Sequence, residues 1–201
     1  MSRPVVRPAT PDDLPRAIAT LTNAFEHYAF TRHTIAADDH LRRLQRFNDL
    51  FLREIGLPHG KVWIANDGDA VAIWTTPEST GIGEAFTRLG PEFVTLAGDR
   101  VTQHQSAEAT MQRHRPQAPV GFRGSIGVDP AHQGKGLGRA VIAPGLDAAD
   151  KAGVPAFLET SDPGNVRFYE KLGVDITAGY ILQDNGPRTW SMMRPPRGRI
   201  R

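Results

Sequence analysis

Between Gly127 and Arg139 the chain reads Gly-Val-Asp-Pro-Ala-His-Gln-Gly-Lys-Gly-Leu-Gly-Arg, and no other stretch restricts what it can fold into as strongly. A strand-like run from Ser125 to Val128 meets a turn at Asp129-Pro130. A glycine-rich loop follows, and a helical pattern then runs from Gly138 to Lys151. Gly134, Gly136 and Gly138 tolerate backbone angles that let successive N–H groups converge on one point. Those N–H groups also open a helix, where the macrodipole favours an anion. The pattern is a phosphate cradle set between a strand and a helix.

Its form narrows the ligand. A Walker loop requires a hydroxyl residue after the lysine, and here Gly136 follows Lys135. A dinucleotide fingerprint spaces its glycines Gly-x-Gly-x-x-Gly, whereas this loop reads Gly-x-Gly-x-Gly. That reading keeps one point in its favour, since Glu159 stands about where a ribose-binding acid ~20 residues on would fall. A solvated glycine-rich turn is the plain alternative. Against it stands a second motif, Asn165-Val166-Arg167-Phe168-Tyr169-Glu170-Lys171-Leu172-Gly173, which the dinucleotide reading leaves unused.

Gln133-Gly134-Lys135-Gly136-Leu137-Gly138, together with this Asn…Phe-Tyr-Glu segment, resembles the acetyl-CoA site of the GNAT N-acetyltransferases. The resemblance implies an α+β (α/β) fold: a mixed, mostly antiparallel sheet flanked by helices, with its central parallel strands splayed. It implies acetyl-CoA as co-substrate. Gln133, Gly134, Lys135, Gly136, Leu137, Gly138 and Arg139 would meet the pyrophosphate, the backbone of Ile126 and Val128 the pantetheine amides, and Asn165 the pantetheine arm. Tyr169 would lie beside the thioester sulfur and protonate the leaving thiolate. Phe168 reads as a core residue.

From about Pro8 to Pro195 the chain is also similar to the branch of this family that acetylates puromycin, an aminoacyl-nucleoside antibiotic. Trp74-Thr75-Thr76-Pro77-Glu78-Ser79 and Val154-Pro155-Ala156-Phe157-Leu158-Glu159-Thr160-Ser161 carry the likeness most specifically. The likeness implies a resistance enzyme acting on a primary amine, with Tyr28 as the residue that assists deprotonation, through water or as a weak relay. The departures fall at Gly121, in place of a large aromatic, Arg123, in place of an aliphatic, and Phe30, an added aromatic. These leave a peptide N-terminus open as a different acceptor, while a non-catalytic acyl-CoA-binding module, a different class, has Asn165 and Tyr169 against it. Phe25, Phe30 and Trp74 are candidate walls for the acceptor. Gly121 and Arg123 are candidate specificity positions, and Glu78 and Glu159 candidate carboxylates for the ammonium, each equally able to form an ordinary salt bridge.

Composition fits one enzyme domain. The 201 residues suffice for a full core, and we expect a single domain over residues 1–195 with a basic tail over 196–201. No cysteine is present, so acetyl transfer through an acetyl-cysteine is excluded and transfer should be direct. No apolar run reaches the ~18 residues of a membrane span and no apolar leader opens the chain, which leads us to expect a cytoplasmic protein without membrane contact. The formal charge is +2, with the excess at Arg194, Arg197, Arg199 and Arg201 and no aromatics interleaved. No nucleic-acid partner and no metal are expected, only a small-molecule amine; the oligomeric state is not legible.

Thr10-Pro11-Asp12-Asp13 predicts a helix start, with a hydroxyl cap, proline at the first helical position and acids in the first turn. Tyr28 to Thr34 reads as a loop, Asp39 to Ile55 as one amphipathic helix, and Asn66-Asp67-Gly68-Asp69 as a hairpin turn. Glu84–Leu96 and Arg100–His114 read as helices, and Pro144 should distort the cradle helix.

Overall fold

The computed structural model describes residues 4–198, with the side chain of Arg123 outside that description. Positions 1–3 and 199–201, including Arg199 and Arg201, lie outside the described residues. Seven strands form one sheet in the order β1 (Val6–Pro8), β2 (Lys61–Ala65), β3 (Ala70–Thr75), β4 (Gly121–Val128), β5 (Ala156–Thr160), β7 (Arg188–Arg194), β6 (Asp175–Ile181). Every neighbouring pair is antiparallel except β4 and β5. The β2–β3 turn places Asn66 and Gly68 at positive φ, as its sequence predicts.

Strand β3 shows why both faces must be covered. Ala70, Ala72 and Trp74 join a core cluster beneath α7 (Leu137–Ala152), while Val71 and Ile73 join a second cluster beneath α1 (Leu14–Phe25). Side chains of a strand alternate between faces, so an unbroken apolar run needs a helix on each side. The remaining helices are α2 (Ala29–Thr34), α3 (His40–Leu50), α4 (Leu57–His59), α5 (Ile82–Ala97), α6 (Val101–Gln112) and α8 (Pro163–Glu170). Among the described residues no helix is long and apolar enough to cross a membrane.

Several sequence expectations are corrected. Residues 29–34 are helical rather than a loop: the Thr31 hydroxyl donates to the Phe25 and Tyr28 carbonyls, and Phe30 packs with Ala107, Met111 and Leu182. The long helix expected to Ile55 stops at Leu50, and a π-helical turn spans Phe51–Gly56. The wider turn sends Leu52 into the sheet-side cluster and Ile55 into a separate one with Ala85, Leu89 and Phe93. Pro144 lies inside α7, which continues through it. Arg194 ends β7 rather than opening a tail. It is 3 % exposed, and its guanidinium donates to the Asp150 carboxylate at 2.8 Å and to the Leu146 carbonyl at 3.2 Å.

Candidate active site

Strands β4 and β5 pair only at Gly121–Ala156 and Phe122–Phe157, and beyond that point they part. The Asp129 N–H donates to the Asp69 carbonyl at 2.9 Å, so it points towards the β3 side. Backbone groups alternate along an antiparallel strand, so those of Ile126 and Val128 point the other way, into the gap. Gln133 Nε2 donates to the Val128 carbonyl from that side at 3.4 Å. A register shift at Ile73/Trp74 marks a bulge in the β3–β4 pair, a feature that bends a strand. Gly127 allows α1 to lie directly on the strand: a Cβ there would stand 2.9 Å from Leu21 Cδ2 and 3.0 Å from Ala24 Cβ.

The loop after β4 is held by Asp129, whose carboxylate accepts from the Ala131 N–H at 3.0 Å. Gly134 and Gly136 adopt φ of 76° and 77°, the left-handed region that disfavours any side chain, and a Cβ at either would meet nothing within 4 Å. The space is therefore open, next to the first turn of α7. Gly138 differs: its Cβ position is in ordinary contact distance of Val128, at 3.5 Å, and of Phe168, at 3.6 Å, where the helix lies against the strand and α8. Gln133, Gly134, Gly136, Leu137, Gly138 and Arg139 all line one cleft of about 660 Å³, which extends along Ile126 and Val128. A backbone cradle at a helix start, beside an unpaired strand edge, fits a phosphate-bearing, amide-containing ligand such as acetyl-CoA. Lys135 stands exposed at the rim, its ammonium 3.4 Å from the Ala131 carbonyl.

The same cleft is also lined by Phe25, Tyr28, Asn165, Phe168 and Tyr169. Asp162 caps α8 by accepting from the Gly164 and Asn165 N–H groups, which sets Asn165 in the first turn facing β5. Asn165 Nδ2 donates to Thr160 Oγ1 at 3.2 Å. The Tyr28 hydroxyl lies 3.2 Å from the same Thr160 oxygen and accepts from the Ser161 N–H at 2.5 Å. Phe25 and Tyr28 pack with ring centroids 5.4 Å apart. Tyr169 is 2 % exposed, edge-on to Phe168, and forms part of the cleft wall from within the core.

Other candidates stand elsewhere. Trp74, 2 % exposed, is packed under α7 and is not an acceptor wall. Gly121 faces the same helix, its Cβ position 3.2 Å from Ala149 Cβ, so it cannot shape the acceptor pocket. The bulge also breaks the alternation along β4: Ser125 pairs with Ile73, which packs under α1, whereas Gly121 faces α7. The backbone of Arg123 pairs with Trp74 beside the bulge. Phe30 is occupied against α6, and Glu78 is exposed in the turn after β3. Neither lines the cleft.

The side chain of Glu159 on β5 is 5 % exposed and accepts from Arg115 Nε at 3.0 Å and Nη2 at 2.9 Å, with Tyr180 donating at 3.4 Å. Burial pushes its carboxyl up against the opposing pull of Arg115, and pushes the Tyr180 phenol up to about 12. Sequence reasoning missed Arg115, Thr160 and Asp162. Only Asp162 had a local signal, an acid before Pro163 at a helix start.

A mixed sheet opened between its parallel strands, with a glycine loop at the opening, is the fold of the GNAT acyltransferases. Residues 102–174 match the model of the acetyltransferase (GNAT) family. The matched segment is 73 of the 201 residues, and it contains the glycine loop, α7, β5 and α8. The structure resembles that of a Corynebacterium glutamicum protein described as histone acetyltransferase HPA2 and related acetyltransferase, with TM-score 0.77 and 22% identity over 100% of both chains. It also resembles the Escherichia coli ribosomal-protein-S18-alanine N-acetyltransferase, with TM-score 0.56 and 18% identity over 99% of each chain. Mycothiol acetyltransferase of Streptosporangium roseum is 43% identical over 58 residues, 27% of this chain and 17% of that one. L-methionine sulfoximine/L-methionine sulfone acetyltransferase of Salmonella typhimurium is 39% identical over 57 residues, 27% of this chain and 33% of that one. The chain thus matches between about a sixth and a third of the length of these curated relatives.

Proposed function

We propose that this protein is an acetyl-CoA-dependent N-acetyltransferase that passes acetyl directly to the primary amine of a small molecule. The observation that carries the reading is the single cleft joining the open glycine cradle, the unpaired edge of β4, and the residues Tyr28 and Tyr169. Bound acetyl-CoA supplies a thioester-activated acetyl group; the chain's own residues do the rest. Gly134, Gly136 and Gly138 turn backbone donors on the pyrophosphate, with Lys135 and Arg139 adding positive charge, while Ile126, Val128 and Asn165 offer hydrogen bonds to the pantetheine arm. Tyr169 holds the proton that the departing sulfur requires. The acceptor nitrogen sheds its own proton to water at the end of the cleft bordered by Phe25 and Tyr28. With no cysteine in the chain, an acetyl-cysteine intermediate is excluded.

For the acceptor we infer puromycin or a related aminoacyl-nucleoside, on the likeness of the segments 74–79 and 154–161 to the puromycin-acetylating branch. The curated relatives are named for acetylating mycothiol and methionine sulfoximine, both small molecules, which is in keeping with this class. The test is acetyl-CoA-dependent thiol release with puromycin, aminoacyl-nucleosides and short peptides offered in parallel. Release with puromycin supports the reading, and release with peptides alone moves the acceptor to a peptide N-terminus. A Gly136→Val variant checks the cradle. It should lose the rise in melting temperature that acetyl-CoA gives the parent, and a well-folded variant that keeps the rise would put the pyrophosphate elsewhere.

A further inference from the structure

Thr160 is 2 % exposed, and its hydroxyl oxygen has two partners, Asn165 Nδ2 and the Tyr28 hydroxyl, each at 3.2 Å. Asn165 is the donor in its bond, so the Thr160 oxygen is already an acceptor. The Thr160 proton then has Tyr28 as its partner. Were Tyr28 the donor instead, the Thr160 proton would be buried without an acceptor, which is unfavourable. The Tyr28 oxygen also accepts from the Ser161 N–H. A phenol oxygen with two donors aimed at it has its own single proton left to give, and Tyr28 lines the cleft.

We propose that Asn165, Thr160 and the Ser161 amide form a one-way chain of donors that fixes Tyr28 as a hydrogen-bond donor into the acceptor end of the cleft, aimed at an oxygen beside the reacting nitrogen. Thr160 is a positioning residue in this scheme. It touches neither substrate nor cofactor, and it acts through Tyr28. The oxygen has two sources, a carbonyl adjacent to the acceptor amine, as in any α-aminoacyl compound, or the water that removes the amine's proton. The inference rests on the acetyltransferase reading only for its effect on turnover; the donor chain itself can be tested without substrate.

Protein labelled with ¹³C at tyrosine Cζ gives signals from three tyrosines, and the one lost in Tyr28→Phe belongs to Tyr28. Thr160→Val should move that signal and Thr160→Ser should leave it near its original position, because serine keeps the hydroxyl. An unmoved signal in the valine variant overturns the chain. Thr160→Ala carries the same comparison should valine not be accommodated. In turnover, hydroxyl loss at Thr160 should lower kcat about tenfold with the acetyl-CoA KM unchanged, the scale of one hydrogen bond to a reacting group, and should cost nothing further in a Tyr28→Phe background. Phenylalaninamide and phenethylamine separate the two sources: a loss confined to the amide points to the substrate carbonyl, and an equal loss on both points to water. No loss on either, or full additivity with Tyr28→Phe, overturns the proposal. A moved signal with neither amine acetylated leaves the donor chain standing and removes the acceptor reading.

Discussion

At the scale of single residues, two positions show how different forces settle a side chain. Tyr169 is buried yet borders the cleft, so its hydroxyl and its ring can be tested apart. Tyr169→Phe keeps the ring. If the hydroxyl is the acid, kcat should fall ~10²–10⁴-fold while acetyl-CoA still binds, since that is the usual worth of general-acid assistance. Full turnover in the phenylalanine variant would leave water as the acid. Asp13, far from the cleft, is a matter of stability. Its carboxylate takes two bonds of 2.8 Å from Arg7 and another of 2.8 Å from the Thr10 N–H, closing a capping box ahead of α1. The Arg7 guanidinium foremost, with help from Thr10, holds the carboxyl well below its ordinary range. A depressed folded-state value means the stabilisation is present at neutral pH and is lost as pH falls below the unfolded value of ~4. Asp13→Ala should therefore cost about 1–2 kcal/mol at pH 7 in denaturant unfolding, and the gap to the parent should narrow towards pH 3. A gap that stays constant over that range would make the effect one of packing rather than charge.

At the scale of elements, α7 and β3 meet at a contact that explains a residue the sequence left unaccounted for. Gly145 follows Pro144 inside α7, and a Cβ there would fall 2.1 Å from Trp74 Cε2. The helix can lie on the sheet only because Gly145 offers no side chain to the indole. Gly145→Ala should cost on the order of 1–3 kcal/mol, the usual toll of overpacking, and Trp74→Leu should recover part of that loss when combined with it. A neutral Gly145→Ala by thermal unfolding would mean that the indole moves freely. This contact also marks where the sequence stops being readable. The cradle, the Thr10 cap and the Asn66–Gly68 turn were legible because each is fixed by φ angles and hydrogen bonds within a few residues. Trp74 and Gly121 were misplaced because alternation tells which residues share a face of a strand, and not which helix that face meets. The bulge at Ile73/Trp74 then shifts the alternation without any mark in the sequence. The pairings Arg115–Glu159, 44 residues apart, and Tyr28–Ser161, 133 apart, have no local signal at all.

At the scale of the whole molecule, the cleft divides the sheet. Strands β1 to β4, with α1 packed on them, stand on one side of the opening, and β5 to β7 on the other. Across it run two pairs of β4–β5 partners, the overlying α7, and the bonds from Tyr28 to Thr160 and Ser161. The unpaired N–H groups of Ile126 and Val128 lie at the dividing line, so a ligand seated there would pair them and tie the two parts together. Hydrogen exchange reads this directly, since amides that open locally report their own surroundings rather than global unfolding. Saturating acetyl-CoA should slow early-time exchange most at residues 126 and 128 and across 134–139. The outward amides of β6, which form the far edge of the sheet, should be unaffected at the same times. Amides that exchange only by global opening will slow as well, by mass action, but at much longer times. Early protection that skips 126 and 128, or that spreads evenly over the chain, would remove the strand edge from the binding site and leave the cradle as an isolated anion site.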